Sequence, residues 1–133
     1  MIGVIGSREF PFDIFNSKIK EVFDEVWNCY NTCYRNGFAE RVVVTGDANG
    51  VDTYIEQWCK KNKIPVWSLD CLNPEIEHYF LCRNAEIVAL SKYIIAFWDG
   101  QSRGTKFTMD YAMHKKRHAP VVLVEKNGEH RWL

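Results

Sequence analysis

The chain contains five short, continuous runs of apolar and β-branched residues, separated by segments whose apolar residues recur at helical spacing. Runs without polar alternation predict strands covered on both faces, as in a parallel sheet between two layers of helices. The pattern predicts βαβαβαβαβ, a three-layer α/β sandwich with a five-stranded parallel sheet. The runs are IGVIG at 2–6, RVVVTG at 41–46, IPVWSL at 64–69, YIIAFW at 93–98 and APVVLVE at 119–125.

The segments between the runs supply the predicted helices. Apolar residues recur at helical spacing from Ile14 to Tyr34 and again from Val51 to Cys59. Asn73-Pro74 predicts the start of a third helix, with Asn as the cap and Pro at the first position, and a fourth helix follows Gly104-Thr105. The tail GEHRWL at 128–133 is expected to pack or fray.

Length and charge restrict the function. The 133 residues suit one domain, 1–133. Because 17 basic and 17 acidic side chains balance, no global field attracts a polyanion, and nucleic acid is the least favoured partner. No apolar run approaches the ~20 residues of a membrane span, and IGVIG gives way to Ser7 and Arg8 too early for a signal peptide. We expect a cytoplasmic protein that does not bind membranes.

The five cysteines predict neither disulfides nor a metal site. Their number is odd, and they form no CxxC pair and no zinc-type cluster with histidine. Cys29 and Cys33 lie about one helical turn apart, which a metal site could use, but small buried apolar residues are the favoured interpretation. We predict no metal and no cofactor.

Three glycine-rich or polar junctions follow predicted strands and should converge at one edge of the sheet. They are Gly6-Ser7-Arg8, TGDANGVD at 45–52 and DGQSRGT at 99–105. Glycines let backbone N–H groups approach a ligand, and a helix N-terminus adds unpaired donors that suit a phosphate. Strand-to-helix turns require glycine in any case, but three such loops that include Arg8 and Arg103 favour a binding site. Neither GxGxxG nor GxxxxGK[ST] occurs, which disfavours common dehydrogenases and P-loop NTPases.

Four segments resemble the successive motifs of the SLOG superfamily, most closely its small YspA-like branch. They are VIGSREF at 4–10, VVTGDANGVDTYIEQWCKK at 43–61, Arg83-Asn84, and YIIAFWDGQSRGTKFTMDYA at 93–112. Relatives in this superfamily include the LOG phosphoribohydrolases and Smf/DprA. The resemblance covers nearly the whole chain and implies a Rossmann-like fold that binds a nucleotide or a nucleotide-derived molecule.

The resemblance and the residue chemistry together give a set of expected ligand-binding residues. They are Gly6, Ser7, Arg8, Gly46, Asp47, Gly50, Asp52, Arg83, Asn84, Asp99, Gly100, Ser102, Arg103, Gly104 and Thr105. A phosphate would lie on the amides of Gly104-Thr105 and the Ser102 hydroxyl, paired with Arg83 or Arg8. A carboxylate, Asp52 or Asp99, would accept a hydrogen bond from a ribose hydroxyl.

Two departures from the family pattern bear on the chemistry. Thr108 occupies the position of the glutamate in the LOG motif PGGxGTxxE, and Asp110 should point about 200° away around the helix. We therefore expect a sensor or scavenger that binds a nucleoside monophosphate, ADP-ribose or a cyclic relative. The alternatives are an N-glycosidase or phosphoribohydrolase and, least favoured, a single-stranded nucleic acid binder. Asp47 and Asn49 replace the glycine and arginine of many relatives, which disfavours a highly phosphorylated ligand.

The first predicted helix carries more large aromatic residues than one face of a small sheet should require. They are Phe15, Trp27, Tyr30 and Tyr34. Since SLOG relatives commonly form dimers, we expect a homodimer.

Overall fold

A computed structural model describes residues 1–33, 41–73, 75–114 and 119–133. The elements are β1 Ile2–Gly6, α1 Phe12–Cys33, β2 Val43–Thr45, α2 Val51–Lys61, β3 Val66–Ser68, α3 Glu77–Leu90, β4 Tyr93–Trp98, α4 Arg103–His114, β5 Val121–Glu125 and β6 His130–Trp132. None of these helices combines the length and the apolar character needed to cross a lipid bilayer.

The strands form one sheet in the order β3-β2-β1-β4-β5-β6. Strands β1 to β5 are mutually parallel, which confirms an α/β fold built on a parallel sheet and is compatible with a Rossmann-like fold. The predicted count of five strands is wrong, because 130–132 form a sixth strand, antiparallel to β5. A tight turn makes this hairpin: Gly128 has φ 87° and its amide donates to the Glu125 carbonyl at 2.9 Å.

Strand β6 is also attached to α1 through one carboxylate. Glu25 accepts a hydrogen bond from Trp132 Nε1 at 2.9 Å and lies 2.9 Å from His130 Nε2. The hydrogen bond from Trp132 is the largest influence on the pKa of Glu25, which is lowered below its ordinary value. Because of these contacts, 130–132 form a hydrogen-bonded strand, whereas the sequence predicted a tail that packs or frays.

Helices cover both faces of the sheet. Helices α1 and α2 pack on one face with Ile95 and Phe97 of β4, and α3 and α4 pack on the other with Ile94 and Ala96. Successive residues of a strand point to opposite faces, so both sets are buried only if each face is covered. The continuous apolar runs of the sequence reflect this arrangement.

Two details of α1 and α3 differ from expectation. Asn73 does not cap α3: its side-chain oxygen accepts from the Glu75 amide at 3.1 Å, which makes a separate turn before the helix begins at Glu77. The aromatic residues of α1 are not surplus, because Phe15 and Tyr30 are buried and Trp27 packs against the same core. Tyr34 lies outside the described residues, and the homodimer stays a prediction for which the buried Phe15 and Tyr30 no longer argue.

Candidate functional site

The order of the strands creates a crevice between β1 and β4. From β1 the chain builds outward through β2 and β3, then crosses to β4 on the other side of β1. In sheets of this kind, ligands bind outside the carboxyl ends of the strands where the order reverses. A cleft of about 390 Å³ lies at that place, lined by the loops after β1, β2 and β4 and by α3 and α4.

Most of the expected ligand-binding residues line this cleft. They are Gly6, Arg8, Asp52, Arg83, Asn84, Asp99, Ser102, Gly104 and Thr105. The others do not line it; they are Ser7, Gly46, Asp47, Gly50, Gly100 and Arg103. The lining that sequence reasoning missed comprises Ile5, Glu9, Ala48, Phe80, Ile87 and Gln101. The spacing of 80, 83, 84 and 87 is that of one helical face, a signal that could have placed Phe80 and Ile87 beside Arg83 and Asn84.

Arg83 of α3 is the central cation of the cleft and is only 4% exposed. Its Nε donates to Asn84 Oδ1 at 2.9 Å, and its Nη1 donates to the Leu69 carbonyl at 3.0 Å and pairs with the Asp47 carboxylate. The guanidinium carbon lies 4.9 Å from the centre of the Phe80 ring. Of the described residues, none accepts a hydrogen bond from Nη2. The guanidinium is therefore held in one orientation with one nitrogen unpaired in a cleft wall.

Two glycines of the loop after β2 shape the cleft rather than line it. A Cβ on Gly46 would lie 2.5 Å from Arg83 Cζ and 2.6 Å from Asp52 Oδ2, so only glycine allows both side chains to approach the backbone. Gly50 has φ 82°, and a Cβ there would lie 2.5 Å from the Arg8 carbonyl oxygen. Both positions should be intolerant of larger residues for packing reasons alone.

The turn before α4 is organised by its own side chains. Asp99 Oδ1 accepts from the amides of Gln101 and Ser102 at 2.9 and 2.8 Å. Burial raises the pKa of Asp99, but these hydrogen bonds outweigh burial and lower that pKa below its ordinary value. Ser102 Oγ accepts the Thr105 amide at 3.4 Å, as an N-cap does, so this amide is not left free for a ligand as the sequence suggested. The Gly104 amide has no acceptor among the described residues.

Ser7, Gly100 and Arg103 lie around this turn. Ser7 is buried, and its Oγ accepts the Asp99 amide at 3.2 Å, which joins the loop after β1 to the end of β4. Gly100 is exposed with φ 83°, and Arg103 is the exposed first residue of α4. Ser7 therefore holds two loops of the cleft together, and Gly100 and Arg103 lie next to the cleft without lining it.

Asp52, in the first turn of α2, is a buried carboxyl group in the cleft wall. Its Oδ2 accepts the Ala48 amide at 3.1 Å, and its Oδ1 lies 3.1 Å from Thr45 Oγ1. The Thr45 hydroxyl also lies 2.7 Å from the Val4 carbonyl oxygen, which can only accept. Because a hydroxyl has one hydrogen, both contacts are full hydrogen bonds only when Asp52 carries a proton and donates it to Thr45. Burial raises the pKa of Asp52 to about 6 despite the nearby Arg83 cation, in agreement with this arrangement.

Thr108 lines the cleft one helical turn after Gly104. Its Oγ1 donates to the Gly104 carbonyl at 2.8 Å, which occupies the only proton of the hydroxyl. Asp110 does not line the cleft and pairs with Lys106 at 3.0 Å on the surface of α4, as the helical spacing predicted. The carboxyl groups that line the cleft are those of Glu9, of Asp52 in α2 and of Asp99, and the sequence analysis named the last two.

No protein-family model, no curated protein and no solved structure matches this chain. The resemblance to the SLOG superfamily stays a prediction from the sequence. The sequence KKRH at 115–118 is a short basic cluster of the kind that a nucleic acid binder could use, but it lies outside the described residues. The functional argument depends on the chemistry of the cleft.

Proposed function

We propose that this chain is a SLOG-like protein that binds a nucleotide or nucleotide-derived small molecule in the cleft, as a sensor or scavenger. The ligand would be a nucleoside monophosphate, ADP-ribose or a cyclic relative. The observation that supports this proposal best is the buried Arg83 guanidinium, whose Nη2 has no acceptor among the described residues, in the same cleft wall as the start of α4.

Each part of such a ligand has a suitable partner in the cleft. A phosphate would accept from Arg83 Nη2 and the Gly104 amide, where the N-terminal end of α4 adds a partial positive charge. Ribose hydroxyls would donate to Asp99 or Asp52, and the base would pack against Phe80, Ile87 or Ile5. The volume of about 390 Å³ lies within the range of small-molecule sites.

The direct test is a thermal-shift and calorimetric panel of AMP, cyclic AMP, ADP-ribose and adenosine. A ligand that binds only the folded state stabilises it by mass action, by about 2.7 kcal/mol at a concentration of a hundred times Kd. We expect the phosphorylated compounds to raise Tm more than adenosine does. If no nucleotide-derived compound binds at millimolar concentration, the proposal is wrong.

An N-glycosidase or phosphoribohydrolase is the second candidate, and Asp52 is the observation that favours it. A buried carboxyl group in a cleft, with its pKa raised to about 6, is typical of residues that transfer protons near neutral pH. Against this activity stands Thr108, whose hydroxyl is bonded to the Gly104 carbonyl and cannot replace the carboxylate of the LOG pattern.

We therefore expect hydrolysis of AMP to adenine and ribose 5-phosphate at close to the background rate, measured by chromatography. Loss of a group that stabilises the transition state commonly costs a hundredfold or more in rate. Thr108→Glu restores the carboxylate and should raise turnover if the LOG chemistry applies. Efficient base release by the unmodified protein, abolished in Arg83→Ala, would instead establish the glycosidase.

A further inference from the structure

Arg83 already has an anionic partner that belongs to the chain itself. Asp47, in the loop after β2, pairs with Nη1 and also accepts the Cys71 amide at 3.2 Å. We propose that Asp47 acts as an internal counter-ion at Arg83 and so restricts the cleft to ligands with one phosphate group. This inference rests on the proposed function and narrows its ligands to nucleoside monophosphates and cyclic monophosphates.

The geometry of Arg83 supports a single anionic contact. Among the described residues, Asn84 accepts from Nε, and Leu69 and Asp47 accept from Nη1, so only Nη2 is left for a ligand. A bidentate grip on a phosphate needs two guanidinium nitrogens, so a ligand could obtain it only by displacing an existing acceptor. Asp47 is the acceptor that competes directly with a phosphate, because both are anions.

The other charged side chains of the cleft also disfavour a ligand with more than one phosphate group. The cationic side chains of the lining are Arg8 and Arg83, whereas Glu9, Asp52 and Asp99 carry carboxyl groups. Asp47 adds a further carboxylate at Arg83. Burial raises the pKa of Asp47, but hydrogen bonds from Cys71 and Arg83 outweigh burial and lower it, so Asp47 is ionised at neutral pH. A second or third phosphate would therefore meet more negative than positive charge, and like charges brought together in an interface are strongly unfavourable.

The inference is tested by calorimetry with AMP, ADP and ATP on the unmodified protein and on Asp47→Asn. We expect the unmodified protein to bind AMP at least tenfold more tightly than ATP. In Asp47→Asn, the preference for AMP over ATP should shrink by at least tenfold, since the substitution removes the competing charge and keeps one amide oxygen as an acceptor. Asp70→Asn, which removes an exposed carboxylate from a neighbouring loop, is the matched control and should leave the preference unchanged.

Thermal unfolding of each variant shows whether it is folded, and Asp47→Ser is a second variant if Asp47→Asn is strongly destabilised. Equal affinity for AMP and ATP in the unmodified protein, or an unchanged preference in the folded Asp47 variants, overturns this inference but leaves the proposed function standing. Failure of all three nucleotides to bind to any of these proteins overturns this inference, and the proposed function fails as well only if cyclic AMP and ADP-ribose also do not bind.

Discussion

Asp52→Asn is expected to raise the free energy of unfolding at pH 7 by roughly 3 kcal/mol, although it replaces a buried polar residue. The pKa of Asp52 is raised from 3.8 to about 6 because burial disfavours the charged form. Such a shift corresponds to about 3 kcal/mol, since each pKa unit is worth about 1.4 kcal/mol. Asparagine reproduces the protonated side chain: its amide can donate to Thr45 Oγ1 while its oxygen accepts from the Ala48 amide.

The sign of the pH dependence follows from which state holds the proton. Between about pH 4 and pH 6 the folded protein keeps a proton on Asp52 that the unfolded chain has released. Asp52 therefore lowers stability progressively as the pH rises through this range, and its effect is constant above it. Glu25, Asp47 and Asp99 act in the opposite direction, since their lowered pKa values make stability fall in acid.

Urea unfolding of both proteins from pH 3.5 to pH 8 isolates the Asp52 contribution, because the other groups are common to both. The difference in unfolding free energy should be near zero at the acid end, grow between about pH 4 and pH 6, and then level off. Asp70→Asn should show no such profile. A pH-independent loss of stability in Asp52→Asn would mean that the ionised carboxylate, rather than its protonated form, suits the folded protein.

A buried carboxyl group that lowers stability at neutral pH is typical of functional sites, where groups are arranged for a ligand or a reaction and not for the fold. The sequence predicts Asp52 as a ligand-binding residue but not its burial or its raised pKa. Its burial depends on Thr45 of β2, on Val4 of β1 and on the loop amide of Ala48, which come together only in the folded chain. The sequence around Asp52 does not show which distant residues will surround its side chain in the folded protein.

The sequence predicted more of the fold than of the site, because the features that determine the strands and helices are local in the sequence. Continuous apolar runs predicted strands β1 to β5, helical spacing predicted α1 and α2, and the turn residues Asn73-Pro74 and Gly104-Thr105 predicted α3 and α4. The sixth strand was missed because its short, mostly polar segment, HRW, acquires its partners from β5 and from Glu25 of α1. The same limit applies to Arg83: the sequence predicted its presence in the cleft, but not that Asp47 and the Leu69 carbonyl already hold its Nη1.

Arg83→Ala is expected to weaken the binding of AMP by at least a hundredfold, the largest loss of any single substitution in the cleft. Removing one partner from a buried, hydrogen-bonded charge pair commonly costs 2–5 kcal/mol, and here it also leaves Asp47 without its cation. Arg83→Lys should recover only part of the affinity, because an ammonium group keeps the charge but cannot hold Asn84, Leu69 and a phosphate in one plane.

Lys60→Ala is the control for this prediction. Its ammonium group pairs with Glu56 on the exposed surface of α2, where ion pairs contribute little, so its Kd should stay within about twofold of the unmodified value. Calorimetric titration, with circular dichroism to verify that each variant is folded, measures all three, and equal losses in Arg83→Ala and Lys60→Ala would place the ligand away from this cleft.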